Sequence, residues 1–410
     1  MTESAEALLG EAVARLNAGR AGEAVPLLMR AIQLAPPLEQ AWLTLGFCFG
    51  LEGRLGDIVG LADHRQRVLG DGFLFCHAVL GTMVTYRLYP AVRALAAMLP
   101  ESHAYGPSAA YHAGCVALLE GDEDAAFASF AAFKRGVTGR DLPIGPESHF
   151  NVAYRQGTLI EDADWVEALG EGAPSPPIRW MGPPVTGTGP VLAAAADRHY
   201  FRLFGRGFVA SIARHMPAAT VHLHVVAPDA DLAGQVAALQ EAAPGLALNV
   251  STEPAGAWGS GAYYASVRFL VAPALIARYE MPLALLDVDV ELVSPLDEVL
   301  IAAGHAPFAC FRHDGPGPCS RYPAVFTLWN DGSAELLDRV GRFLRAKLDI
   351  PWPHNWMLDQ AALASAMRWA RRYRPDLALC ILNDRLGRHF QPWMLPLGHE
   401  AKARLIRDAG

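Results

Sequence analysis

Asp287 and Asp289 stand one residue apart at the end of an apolar run, "PLALLDVDVELVSPL" (282–296), with Glu291 two positions further on. Carboxylates set so close repel, and each is partly protonated unless a cation compensates. In an extended segment residues i and i+2 point the same way, so the two aspartates converge on one point. Hard oxygen donors of this kind suit Mg²⁺ or Mn²⁺, which also keep waters and recruit phosphate oxygens. The chemistry served is transfer from a nucleoside diphosphate compound, where the ion offsets charge building on the leaving diphosphate. Glu291 reads as a solvated turn carboxylate and not as a third ligand.

Elements on either side must hold the pair. "PVLAAAA" (190–196), "TVHLHVVAP" (220–228), "LALNVST" (246–252) and "LALLD" (283–287) read as strands. Helical patterns fall between them at 200–216, 231–242 and 263–279. Strands alternating with helices predict a mostly parallel, doubly wound sheet, whose ligands bind beyond the carboxyl ends of its strands. The aspartates occupy such an end. His222 and His224 alternate along one strand and read as structural. Before this region, "EGAPSPPIRWMGPPVTGTGP" (171–190) packs six prolines and four glycines into one stretch, which reads as a linker or a draped connection.

Residues 1–140 repeat with a period of 34. Frames at 5, 39, 73 and 107 place Gly19, Gly53, Arg87 and Gly121 at the fifteenth position and Ala24, Ile58, Val92 and Ala126 at the twentieth. In the second frame Trp42, Leu45, Gly46 and Phe49 stand where the tetratricopeptide pattern has its Trp, Leu, Gly and aromatic. This region resembles a tetratricopeptide array of four units, the third degenerate. Small residues let paired helices approach, and neighbouring units bury what one unit leaves exposed. An Ala-rich helical bundle without true repeats is the alternative. The expected organisation is a helical repeat domain over 1–170, a linker over 171–190 and a sheet domain over 191–410.

Composition limits the function classes. The 410 residues are 52% apolar and 19% charged, as in a folded chain of two or three domains. A net charge of −8 argues against nucleic-acid binding. No signal peptide and no transmembrane run are apparent. Six scattered cysteines in apolar surroundings predict reduced thiols and a cytoplasmic protein.

Two other D-x-D or sheet chemistries fit less well. The haloacid dehalogenase type wants Thr or Val four residues after the first Asp, where Glu291 stands. Nucleotidyltransferases carry a glycine-rich basic loop after the first strand, and "AAADRHYFRLFGRG" lacks one. By contrast "YYASVRFLVAPALIARYEMPLALLDVDVELVSPLDEVL" (263–300) resembles the core of GT-A-type glycosyltransferases, in particular bacterial relatives of glycosyltransferase family 8. "AAADRHYF" (194–201), "AVFTLWNDGSAELLDRV" (324–340) and "NWMLDQAALASAM" (355–367) extend the resemblance over most of 190–402.

The resemblance implies an N-terminal tetratricopeptide-like helical repeat followed by a GT-A (Rossmann-like, mostly parallel sheet) domain. It implies a transferase using Mn²⁺ or Mg²⁺ and a nucleotide-sugar donor, with a UDP-sugar expected. Asp287 and Asp289 would bind the metal, with His399 as a third ligand. Lys402 would lie near the diphosphate, and Arg268 near the donor. Asp197 would reach the base or ribose, and Tyr200 would stack on the base. Asp359 and Gln360 would line the donor sugar close to the reacting carbon. The family's usual H-x-x-G-x-x-K-P-W order is absent, since "FQPW" precedes "PLGHEAK". Asp197 reads equally as a helix N-cap, and Asp359 as a first-turn acid. The repeat domain would bind the acceptor or a partner protein. An inactive interaction scaffold with a transferase-like domain is the rival reading.

Overall fold

The computed structural model describes residues 4–142, 149–170, 177–256, 258–351, 353–397 and 402. It divides into two compact units, one ending at Thr158 and one beginning at Leu159, with the short run 316–318 grouped with the first.

The first unit is built of paired helices. They are α1 (Ala5–Asn17), α2 (Ala21–Leu34), α3 (Glu39–Leu51), α4 (Leu55–Leu69), α5 (Gly72–Thr85), α6 (Tyr89–Met98), α7 (Gly106–Glu120) and α8 (Glu123–Val137), followed by α9 (His149–Leu159). The 34-residue frame has a physical basis. Its fifteenth position, Gly19, Gly53, Arg87 and Gly121, has φ of +74°, +68°, +61° and +84° in turn. Each ends a first helix in the left-handed region, which glycine enters without steric cost and Arg87 does not. The twentieth position, Ala24, Ile58, Val92 and Ala126, is fully buried in every unit. Small residues set the approach of helices: a Cβ on Gly114 would lie 2.6 Å from the Phe130 ring.

The second unit starts before the change in composition at 170. Its first short helix, α10 (Ala163–Glu167), is fastened by Arg368 Nε to Asp162 at 2.6 Å and by Trp369 Nε1 to Glu167 at 2.7 Å. Then follow β1 (Arg179–Trp180), β2 (Val191–Asp197), α11 (Arg198–His215), β3 (Thr220–Val226), α12 (Leu232–Ala242), β4 (Ala247–Glu253), α13 (Gly261–Tyr279), β5 (Leu283–Leu286) and β6 (Val290–Leu292). After these come α14 (Asp297–Ala303), β7 (Phe308–Cys310), β8 (Phe326–Trp329), α15 (Ala334–Lys347), α16 (Leu358–Tyr373), β9 (Leu379–Ile381), α17 (Leu382–Leu386) and β10 (Met394–Pro396).

Eight strands form a mixed, mostly parallel sheet in the order β1-β4-β3-β2-β5-β8-β7-β9. Strands β4, β3, β2 and β5 run parallel, whereas β8 pairs antiparallel with both β5 and β7. The run "VLAAAA" is buried on both faces. Leu192, Ala194 and Ala196 share a core with Phe204 and Phe208 of α11, and α13 packs on β2 and β5. A strand covered on both sides has no polar face to show, hence the unbroken apolar pattern. Residues 177–190 of the Pro/Gly-rich stretch run along the sheet, with β1 pairing on β4 as the edge strand and Val185 exchanging two hydrogen bonds with Asn249. His222 and His224 are buried on Ser251 at 2.8 Å each, and burial pushes His222 down to about 3, so it is neutral and structural. All six cysteines are buried and none is in a disulfide, and no described helix is long and apolar enough to cross a membrane.

Candidate active site

Strand β5 ends at Leu286, one residue before the first aspartate. Asp287 and Asp289 are not successive same-face residues of a strand, as alternation predicted. A tight turn closed by the Val290 N–H on the Asp287 carbonyl at 3.2 Å carries Asp289 back beside Asp287. The chain is then caught by the two-stranded ribbon of β6 and β10, and the Leu397 N–H reaches the Asp289 carbonyl at 3.0 Å. The reversal leaves both carboxylates at the mouth of the sheet. Glu291 lies within the ribbon, exposed and paired with Leu395, away from the pair.

The two carboxylates open into a cleft of about 550 Å³. Asp197, Tyr200, Arg268, Asp359, Gln360 and Lys402 also line it. They come from the end of β2, the start of α11, the middle of α13, the start of α16 and the C-terminal segment. His399 lies outside the described residues.

Arg268 organises one end. Its guanidinium is almost wholly buried and holds Asp287 Oδ1 at 2.6 Å through Nη1. Through Nη2 it donates to Asp359 Oδ2 at 3.0 Å and to the Ala324 carbonyl at 3.1 Å. Two carboxylates from segments 72 residues apart in the chain thus share one cation. Burial raises the Asp359 carboxyl above its ordinary range; Arg268 opposes that rise, and Asp287 adds to it. At the other end the Lys402 ammonium pairs with Asp289 Oδ2. Burial, then the neighbouring Asp287, raises Asp289, and Lys402 opposes the rise.

Asp197 has a definite structural duty. Its Oδ1 accepts the Tyr200 N–H at 2.8 Å and caps α11, while the residue also borders the cleft. Tyr200 packs on Phe204 with ring centroids 5.0 Å apart, and burial raises its hydroxyl. Tyr264, whose place in an aromatic pair at a helix start reads as largely structural, and Trp356, to which the sequence assigns no role, also line the cleft. Ser260 caps α13 by accepting the Tyr263 N–H at 3.3 Å, which fixes the first turn of the helix that carries Tyr264.

Among the described residues no group of three His, Cys, Asp or Glu is placed to hold a metal ion. The donor set nevertheless suits a hard divalent cation. Among the described residues, Asp287 gives Oδ1 to Arg268 and Asp289 gives Oδ2 to Lys402, one oxygen of each carboxylate. Magnesium sites commonly use one or two carboxylates and complete the shell with water and substrate phosphate.

No family model matches the sequence, and no curated protein matches it. Solved structures similar to it include the bifunctional glycosyltransferase WbbM, 16% identical over 49% of this chain with a TM-score of 0.35. The glycosyltransferase GlyE of Streptococcus pneumoniae TIGR4 is 16% identical over 52% of this chain, also at 0.35. Mouse xyloside xylosyltransferase 1 is 13% identical over 47% of this chain at 0.30. The matches span 40% of WbbM, 56% of GlyE and 83% of the mouse enzyme. Superpositions this loose leave the residues of the cleft to carry any functional reading.

Proposed function

We propose that the chain is a glycosyltransferase that moves a sugar from a nucleotide-sugar donor, a UDP-sugar, to an acceptor hydroxyl. The observation that carries this reading is the joining of Asp287 and Asp289 to Arg268 and Lys402 in one cleft at the sheet's carboxyl edge. Two carboxylates and two cations there provide for both partners of a metal–diphosphate complex.

In this reading Asp287 and Asp289 hold Mn²⁺ or Mg²⁺, which when bound offsets charge on the diphosphate. Lys402 and Arg268 supply fixed positive charge beside the same group. Asp197 and Tyr200 receive the nucleoside; Asp359 and Gln360 line the donor sugar. The bond between the anomeric carbon and the diphosphate oxygen breaks, and its electron pair leaves with the nucleoside diphosphate. The acceptor oxygen bonds that carbon and gives up its proton. In an inverting reaction Asp359 is the base that accepts that proton; burial raises its carboxyl above the ordinary range and Arg268 opposes the rise. The paired helices of the first unit are proposed to act as a tetratricopeptide-type surface for the acceptor or a partner protein.

Calorimetric titration of the full chain with UDP and Mn²⁺ tests this. Binding of UDP is expected to depend on the ion and to fall at least about tenfold in Asp289→Ala, equivalent to about 1.4 kcal/mol. Donor hydrolysis across a panel of nucleotide sugars should fall in parallel. Absence of metal-dependent UDP binding, or equal turnover by the variant, would overturn the reading.

A further inference from the structure

A line of buried polar side chains crosses the sheet face beneath α13, and the cleft uses none of them. His222 and His224 of β3 and Ser251 and Glu253 of β4 project from that face, each at most 1% exposed. The Tyr279 hydroxyl meets His222 Nδ1 at 2.8 Å, and Ser251 Oγ joins His222 Nε2 to His224 Nδ1, at 2.8 Å each. His224 Nε2 lies 3.3 Å from Glu253 Oε2, and Glu253 Oε1 accepts the Tyr263 hydroxyl. Burial first, then Glu253, pushes the Tyr263 hydroxyl up, so it stays a donor.

The two tyrosines stand at opposite ends of one helix. Tyr263 is in the first turn of α13 and Tyr279 is its last residue, roughly 24 Å apart along the axis. Between them α13 carries Tyr264, Ala265 and Arg268 to the cleft. The central strand under the helix offers little to fix its setting. Alternation along β2 puts Leu192, Ala194 and Ala196 in the core with α11, which leaves Val191, Ala193 and Ala195 facing α13. Methyl groups resist sliding weakly, because apolar contact has no preferred direction. Arg268 reaches Asp287 at 2.6 Å and Asp359 at 3.0 Å, so a displacement of α13 by about 1 Å would break this bridge.

We propose that Glu253 and Tyr263 are positioning residues for the cleft: their hydrogen bond sets α13 along its axis and so holds Arg268 between Asp287 and Asp359. The proposal rests on the transferase reading and deepens it, by tracing the placement of a cleft cation to two residues outside the cleft. Neither touches the donor, since Tyr263 is fully buried, Glu253 is 1% exposed, and neither lines the cleft. They act through the helix. Glu253 ends β4 in register with Val226 of β3, so the sheet is the reference against which α13 is set. Replacing both partners by apolar groups of similar shape leaves no charge buried alone, so stability can survive while the directed contact is lost. Position and stability are therefore separable by mutation.

The test uses the full chain with Mn²⁺ and three readouts: UDP affinity by calorimetry, melting temperature by fluorimetry, and the Arg268 guanidinium signals of a ¹⁵N-arginine-labelled sample. Those signals are assigned by their absence from Arg268→Met. Tyr263→Phe, which keeps the ring, should lower the melting temperature, weaken UDP binding about tenfold and shift the Arg268 signals. Glu253→Gln still accepts the Tyr263 hydroxyl, so it should keep UDP affinity within about twofold and leave the signals in place. Tyr263→Phe combined with Glu253→Met should recover the melting temperature but neither the affinity nor the signals. Affinity that returns with the melting temperature, affinity unchanged in Tyr263→Phe, or Arg268 signals that do not move in that variant would overturn the proposal. Failure of the wild-type chain to bind UDP sinks the transferase reading instead, and the Arg268 signals then still decide whether Glu253 and Tyr263 position that side chain.

Discussion

Replacing Arg268 by Met should loosen the site and destabilise the second unit with a characteristic pH dependence. Met keeps the apolar stem, including its packing near Phe269, and removes the guanidinium. Asp359 is then left buried without its cation, which costs about 3–5 kcal/mol for a pair of this kind. Asp287 has about a third of its side chain in water, so its lost pairing adds only about 0–1 kcal/mol. At roughly 2–4 °C per kcal/mol for a unit of this size, a loss of about 3 kcal/mol lowers the melting temperature by about 6–12 °C at pH 8.

The sign of the pH effect follows from burial. Burial already holds the Asp359 and Asp289 carboxyls above their ordinary range in the folded chain. A carboxyl raised on folding binds more protons in the folded state, so stability is retained below the unfolded value and lost as pH rises through the folded one. Without Arg268 the Asp359 window extends upward, and the deficit at pH 8 should exceed that at pH 5. Differential scanning fluorimetry across that range, with urea melts at both ends, reads the difference. Asp359→Asn added to Arg268→Met should recover much of the loss, because a neutral amide removes the uncompensated charge. A melting temperature within about 2 °C of wild type at pH 8, with no pH trend, would refute the claim that Arg268 neutralises this pair.

Asp197→Ala should cost about 1 kcal/mol through loss of the α11 cap, seen as a lower melting temperature, while Asp197→Asn keeps the cap and isolates any contribution to UDP affinity. Arg87→Gly should stabilise the helical unit by about 1 kcal/mol, measured by urea denaturation, because it relieves an exposed left-handed residue at the position where the other three units carry glycine.

Much of the architecture was legible locally. The strands of the parallel half were expected within a residue or two of β2, β3 and β4, because burial on both faces writes an unbroken apolar run. The helical period was legible because its marks are backbone conformation at position fifteen and burial at position twenty. Asp287 and Asp289 stood out because two like charges close an apolar strand. Strands β7 and β8 are short and antiparallel in a region expected to alternate, and β6 finds its partner β10 only across a long stretch of chain.

What the sequence by itself determined was therefore the order of element types and the residue kinds available for chemistry, since these depend on neighbours in the chain. Tertiary structure decided which carboxylate meets which cation. Arg268 joins Asp287 to Asp359, and Lys402 answers Asp289, across separations that no periodicity encodes. It also decided that the aspartates converge through a turn and not along a strand. The physical reason is common to all of these: pairing and desolvation depend on distance in space, which the chain sets only once its sheet has formed.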